Sequence, residues 1–208
     1  MSNRGRFIVF EGIDGSGKTT QARLLAEALE KKGRSVRLTA EPTDLPTGRA
    51  LRDALGGRVS KSECEMAVLF VQDRIAHNIQ PTDGIVALLE SGVDVICDRY
   101  YYSTLAYQGQ STDYAWVKAM NLRCPQITKP DLCIYVDLLP EQSLERISRG
   151  RESVEIYENL ETLTRVREQF LSVIRDLGEE DNICIVDGYR SMEEVSEDIF
   201  AIVERLIG

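Results

Sequence analysis

Gly12-Ile-Asp-Gly-Ser-Gly17-Lys18-Thr19 stands between the apolar run Phe7–Phe10 and a helical stretch that begins at Thr19. No other feature constrains the fold of this chain as strongly. The octapeptide satisfies G-x-x-x-x-G-K-[ST] in full, with a strand before it and a helix after it. Glycines there let the backbone curl until successive N–H groups point inward, and the helix N-terminus adds a positive end to the same hollow. Such a turn holds phosphate. Lys18 is then placed to reach β- and γ-phosphates, and the Thr19 hydroxyl to ligate Mg²⁺. The loop predicts a bound nucleotide triphosphate, cradled by Gly12, Ile13, Asp14, Gly15, Ser16, Gly17, Lys18, Thr19 and Thr20. It does not say where the phosphate goes, because GTPases, ATPases, nucleotide kinases and regulators all carry it.

The rest of the chain alternates short apolar runs with helical periodicity. Strands are predicted at Phe7–Phe10, Val36–Thr39, Val93–Cys97, Leu132–Val136 and Ile183–Val186. Helices are predicted at Thr19–Lys32, Glu63–Ile79, Asp83–Ser91, Gln142–Ser148, Ile156–Leu177 and Met192–Leu206, with Gly33, Pro81 and Gly92 as stops. Nearly continuous apolar strands alternating with helices imply a parallel sheet covered on both faces. One domain accounts for the length, and the polar stretch Gly150–Glu155 reads as a mobile loop within it.

Composition narrows the partners. A formal net charge of −9 and a pI of about 4.8 argue against general affinity for nucleic acid or an anionic membrane. An anionic ligand must therefore meet locally concentrated positive charge. No run of 18 apolar residues is present, and the apolar region near the N-terminus is too short for a signal peptide, so a cytoplasmic location is expected. The five cysteines are widely spaced without C-x-x-C and read as small buried hydrophobes. The single histidine, His77, excludes a multi-histidine metal site and reads as a helix residue satisfied by a neighbour.

Asp98-Arg99-Tyr100 follows the third strand. Ligands of an open α/β sheet bind at the carboxyl ends of strands, so both charged residues should project beside the glycine-rich turn. Asp98 there can serve a Mg²⁺ shell, and Arg99 can hold phosphate through two N–H groups. The segment DRYYYSTLAYQG (Asp98–Gly109) resembles the D-R-[YH]-x-x-S-x-x-A-Y-Q-G stretch of thymidylate kinases. EMAVLFVQDRIAHNIQP (Glu65–Pro81) is similar to that family's L-F-x-x-D-R-x-x-H helix, and AEPTDLPTGRALRDAL (Ala40–Leu55) to its Glu-Pro segment. KPDLCIYVDLLPE follows in the same order, so the resemblance covers nearly the whole chain.

The resemblance implies an α/β P-loop kinase fold with a five-stranded parallel sheet, a lid at about 146–158, and phosphorylation of dTMP by ATP with Mg²⁺. It implies that Phe70 stacks on thymine, Arg74 donates to a base carbonyl, and Thr104 and Gln108 read the polar edge. Tyr107 would lie against the deoxyribose, Asp14 would accept from the 3′-hydroxyl, and Arg99 would hold the monophosphate in line. Glu41, Arg52 and Ser103 would complete the acceptor site, with Thr19 and Asp98 at the metal and Lys18 among the catalytic groups. A homodimer paired through helices is implied as well.

Phosphoryl transfer spreads negative charge over the moving group, and an arginine placed there can contribute about 10³–10⁵ in rate. Some family members carry it in the turn, where this chain has Gly15. Others supply it from the lid, and LERISRGRESVEIYE offers Arg146, Arg149 and Arg151. Arg149 and Arg151 are favoured because they flank Gly150. The chain also departs from the family at Ala40, where an arginine commonly precedes Glu-Pro. Arg49 or Arg52 could make the missing contact. Two other readings stay open: a kinase for another small acceptor such as dUMP or a deoxynucleoside, and a non-catalytic nucleotide-binding regulator. A GTPase is disfavoured because no N-K-x-D motif is present.

Overall fold

The computed structural model describes residues 4–150 and 159–207, with positions 149 and 150 described by their backbone alone. Five strands form one sheet in the order β2-β3-β1-β4-β5. They are β1 (Phe7–Glu11), β2 (Val36–Ala40), β3 (Asp94–Asp98), β4 (Leu132–Asp137) and β5 (Ile183–Asp187). Every neighbouring pair is parallel, so the sheet has the predicted form. β1, β3 and β4 are buried almost throughout, whereas the edge strands β2 and β5 are partly exposed.

Side chains alternate across the sheet with the pleat. Phe7, Val9, Val95, Cys97, Cys133 and Tyr135 enter a core on one face, and Ile8, Phe10, Ile96, Ile134 and Val136 one on the other. The second core is closed by α1 (Lys18–Lys31) and α9 (Met192–Ile207), which bring Leu25, Leu29, Ile199 and Val203. The first is closed partly by α8 (Leu160–Leu177), whose Leu163, Val166, Phe170, Val173 and Leu177 form one buried helical stripe.

Three helices had no counterpart in the sequence reading. They are α2 (Pro46–Leu55), α5 (Tyr101–Ser111) and α6 (Tyr114–Leu122). α5 packs against α3 (Glu63–Ile79) and α8 and buries eight of its residues, so neighbours surround it and no polar face marks its period. α2 begins on Pro46, a sound first helical position, but contains Gly48, which masks the pattern. The remaining helices are α4 (Ile85–Glu90) and α7 (Pro140–Gly150). α7 runs two residues further at each end than the periodicity indicated, and α4 is shorter by two and one. Gly150 is the last described residue of α7; the rest of Gly150–Glu155 lies outside the described residues, as does the start proposed for α8 at Ile156.

The topology sets β1 and β3 side by side, with Phe10 paired to Asp98. Their carboxyl ends therefore deliver the glycine-rich turn and the Asp98-Arg99 pair to one place.

Candidate functional site

After Glu11 the chain turns at Gly12, whose φ is 146° and where an added Cβ would lie 2.6 Å from the Val136 carbonyl oxygen. Only glycine meets both conditions. Lys18 opens α1, only 6% exposed, and its ammonium folds back to donate to the Ile13 carbonyl at 2.9 Å. Burial, and next the charge of Arg99, lower the Lys18 pKa to about 8. A cavity of about 590 Å³ follows this turn from Asp14 and Arg99 to Met192 and Val195. Ser16 Oγ is buried beside it with no hydrogen-bond partner among the described residues.

Thr19 and Asp98 meet across the cavity, the Thr19 hydroxyl donating to Asp98 Oδ2. Asp98 Oδ1 is buried with no hydrogen-bond partner among the described residues. Hydroxyl and carboxylate oxygens suit Mg²⁺, which commonly takes one or two protein carboxylates and completes its octahedron with substrate phosphates and water. Among the described residues no group of three or more His, Cys, Asp or Glu could hold a metal unaided.

Arg99 sits between β3 and α5 with φ 69°, the one non-glycine positive φ among the described residues. Its guanidinium pairs with Asp14, donates to Ser103 Oγ at 3.0 Å and lies 5.6 Å from the centre of the Tyr107 ring. Burial alone would raise the Asp14 carboxyl, but Arg99 and then Lys18 outweigh it and hold Asp14 below the usual aspartate value. The Tyr107 hydroxyl donates to the other Asp14 oxygen at 3.3 Å, and burial pushes its own pKa up.

A second cluster is built by α3 and α5. Arg74, 1% exposed, donates to Glu41 at 2.6 Å, Asn121 at 2.5 Å and Thr104 Oγ1 at 3.3 Å. Glu41 also meets His77 Nδ1 at 3.0 Å, and Thr39 meets His77 Nε2 at 2.9 Å. His77 is thus satisfied by neighbours, as read from sequence. Arg74 Nε, a donor, and Gln108 Oε1, an acceptor on α5 one turn after Thr104, are buried with no partner among the described residues. Phe70 stands half-buried one helical turn before Arg74 on α3. Arg52 does not line the cavity at the glycine-rich turn. It donates to the Pro42 carbonyl and to Asp44, each at 2.9 Å, while Arg49 donates to the Asp44 carbonyl at 2.6 Å.

The thymidylate kinase family model matches residues 10–199. The chain belongs to the thymidylate kinase family. A probable thymidylate kinase of Pyrococcus abyssi is 42% identical over 209 residues, with 97% of each chain covered. That of Pyrococcus horikoshii is 41% identical, again with 97% of each covered. The thymidylate kinase of Leptospira borgpetersenii is 37% identical, covering 96% of this chain and 93% of its own. Membership makes the protein a phosphotransferase that uses a nucleotide phosphate donor.

In this thymidylate kinase-family chain the lid arginines divide. The Arg149 side chain and the whole of Arg151 lie outside the described residues. Arg146, which sequence reasoning set behind them, lines the cavity and donates to the Gly188 carbonyl at 2.8 Å and the Ser16 carbonyl at 3.4 Å. Gly188, Arg190, Met192 and Val195 also line it and were not anticipated. The available signal was the end of β5, since open α/β sheets bind ligands at strand carboxyl ends. The structure also explains why Gly15 carries no side chain. It has φ 74°, and a Cβ there would lie 2.9 Å from the Ser143 carbonyl and 3.0 Å from Ile147 of α7. An arginine at position 15 would require α7 to move.

Proposed function

We propose that this protein transfers the γ-phosphoryl group of ATP to dTMP, giving ADP and dTDP, with Mg²⁺ held at Thr19 and Asp98. The observation that carries the base assignment is that two buried atoms, Arg74 Nε of α3 and Gln108 Oε1 of α5, have no partner among the described residues. Thymine presents a carbonyl acceptor beside an N3–H donor, which complements that pair, whereas cytosine presents the opposite order. Glu41 holds Arg74 in place, Thr104 adds a polar contact, and Phe70 offers a ring one turn away. An aromatic face against the base adds about 0.5–1.5 kcal/mol beyond the area it buries.

Arg99 would hold the acceptor phosphate, and Asp14 with Tyr107 would meet the deoxyribose. Lys18 and the turn's N–H groups would hold the donor phosphates. Bound Mg²⁺ would neutralise charge on the β- and γ-oxygens. The transferring group would then be held in line, and positioning with electrostatic stabilisation would do the chemistry. Arg149 and Arg151 would supply charge at the moving phosphoryl. The close approach of α7 to Gly15 supports a lid origin for that arginine, because the turn has no room for it.

An ADP-release assay with Mg²⁺-ATP and dTMP, dUMP, dCMP, UMP or AMP tests the reading. The expected result is dTMP preferred over dCMP by 100-fold or more, on the order of one mismatched donor–acceptor pair left buried. Equal turnover of dTMP and dCMP would remove the base assignment. Arg149→Ala and Arg151→Ala are each expected to lower kcat by at least about tenfold and together by about 10³. If both leave turnover within a few-fold of the parent, the lid assignment fails.

We further read the protein as a cytoplasmic homodimer, by the family resemblance. The five cysteines are unpaired, as suits a reducing compartment. Val68 and Ile79 stand exposed three turns apart on one face of α3, as suits a helix-to-helix contact. Light scattering should give twice the 23.4 kDa chain mass. A monomer at micromolar concentration would reject the dimer.

A further inference from the structure

Behind Arg99 stands a buried carboxylate to which the proposed chemistry gives no role. Glu11, the last residue of β1, is 1% exposed. Its Oε1 accepts from the backbone N–H groups of Tyr100 at 2.8 Å and Ser103 at 3.1 Å. These belong to the start of α5, where a helix leaves its first donors short of partners, although the Ser103 N–H also reaches the Tyr100 carbonyl at 3.2 Å. Its Oε2 accepts from the Ser103 hydroxyl at 2.6 Å. An ionised carboxylate has acceptors only, so the Ser103 proton is committed to Glu11. The lone pairs of Ser103 Oγ are left to accept from Arg99, which donates to it at 3.0 Å. The chain from Arg99 through Ser103 to Glu11 therefore runs in one direction.

We infer that Glu11 is a positioning residue: as a carboxylate it turns the Ser103 hydroxyl to accept from Arg99, and so holds that guanidinium at the acceptor phosphate. The inference rests on reading Arg99 as the ligand of that phosphate. Carrying charge at this site has a cost. Burial, the largest influence, lifts the Glu11 pKa to about 7 against the pull of Arg99 and of its hydrogen bonds. The titratable groups facing it are Arg99 before α5, Lys18 of the glycine-rich turn, Cys97 of β3, and Cys133 and Tyr135 of β4. An amide of the same shape would serve both backbone N–H groups through its oxygen without a buried charge. It could not accept from the hydroxyl. Its NH₂ would donate to Ser103 instead, so the serine proton would have to leave the Glu11 direction for Arg99 or for the third position on Oγ, and nothing would then fix the hydroxyl as an acceptor for Arg99.

The test compares the parent with Glu11→Gln, Ser103→Ala and the double variant as full chains. It measures kcat and KM with dTMP, KM for ATP, and thermal melting at pH 8. Glu11→Gln is expected to melt at or above the parent temperature, yet to lose about 100-fold in kcat/KM for dTMP with KM for ATP within twofold. Ser103→Ala should lose about tenfold. The double variant should recover to the Ser103→Ala level, because deleting the hydroxyl removes the misdirected proton. Glu11→Gln within twofold of the parent, or losses that multiply in the double variant, would overturn the inference. Should Glu11→Gln fail to fold, Ser103→Ala decides alone, and an unchanged kcat/KM for dTMP overturns it. Absence of parent turnover on dTMP would sink the functional reading and this inference together. Parent turnover with unmoved variants would sink the role of Glu11 only.

Discussion

Lys18→Met is expected to lower kcat by about 10³-fold while making the unliganded protein more stable at neutral pH. The two effects have one cause. Lys18 is 6% exposed as a residue, and the pKa of its ammonium, about 8, lies well below the usual 10.5. Its neighbours Asp14, Asp98 and Glu11 offset part of the burial, but the net effect still disfavours the charge. A displacement from 10.5 to about 8 corresponds to roughly 3 kcal/mol of charge burial. The folded protein gives up this proton before the unfolded chain does. The cost is therefore fully present below pH 8, and it disappears as pH rises from about 8 through 10.5. Methionine keeps the bulk and omits the charge. Denaturant melts at pH 7 should show Lys18→Met more stable by on the order of 1–3 kcal/mol, with the gap closing as pH rises toward 10.5. A variant less stable than the parent at pH 7 would contradict the burial argument. Unchanged kcat would contradict the assignment of Lys18 to the phosphates.

Arg99→Ala carries the other large effect: kcat/KM for dTMP should fall by about 10³-fold, with KM for ATP changed far less. Arg99→Lys is not expected to rescue it, because an ammonium cannot reproduce a planar fork held to Asp14 and Ser103 at once. Removing the guanidinium also removes what holds the Asp14 carboxyl below its ordinary value. In the parent, the stability contributed by this pairing is present above the unfolded aspartate pKa and lost as pH falls through the lower folded one. In Arg99→Ala burial is unopposed by its main partner, so Asp14 should titrate above the ordinary range. Carbon-detected NMR of the Asp14 carboxyl would show that upward move, and an unmoved titration would reject the coupling. Position 99 also tests backbone strain. Its φ of 69° costs a non-glycine residue about 1–2 kcal/mol. Arg99→Gly should therefore be at least as inactive as Arg99→Ala yet the more stable of the two.

Much of the fold was legible because it rests on local chemistry. All five strands were readable, each within a residue of its observed ends; β1, β3 and β4 show as apolar runs because they are buried on nearly every residue, and the partly exposed edge strands β2 and β5 keep enough apolar residues to be seen. α1, α3 and α9 carried clear periodicity or stop signals. α5 did not. Its Tyr101, Tyr102, Ser103 and Thr104 are buried in succession, so burial erased the periodicity that would have disclosed the helix. The glycine-rich turn was complete in the sequence, and the structure gives its physical grounds at Gly12 and Gly15. The juxtaposition of Thr19 with Asp98, 79 residues apart, was anticipated only as a consequence of parallel strands ending together.

Sequence by itself determined the class of this protein: a glycine-rich turn after the first strand of a parallel sheet, followed by motifs in the order of the thymidylate kinase family. Those properties are carried by residue type at short spacing. Tertiary structure alone decided the electrical state of the site. Lys18 at about pKa 8, Glu11 at about 7 and Asp14 held low are products of burial and of partners from β3, α5 and the turn. It likewise decided that Arg146 meets Gly188, 42 residues away, and that Arg74 Nε and Gln108 Oε1 are buried with no partner among the described residues. The physical reason is that desolvation and hydrogen-bond satisfaction depend on which segments close over a group, and spacing along the chain does not record that closure.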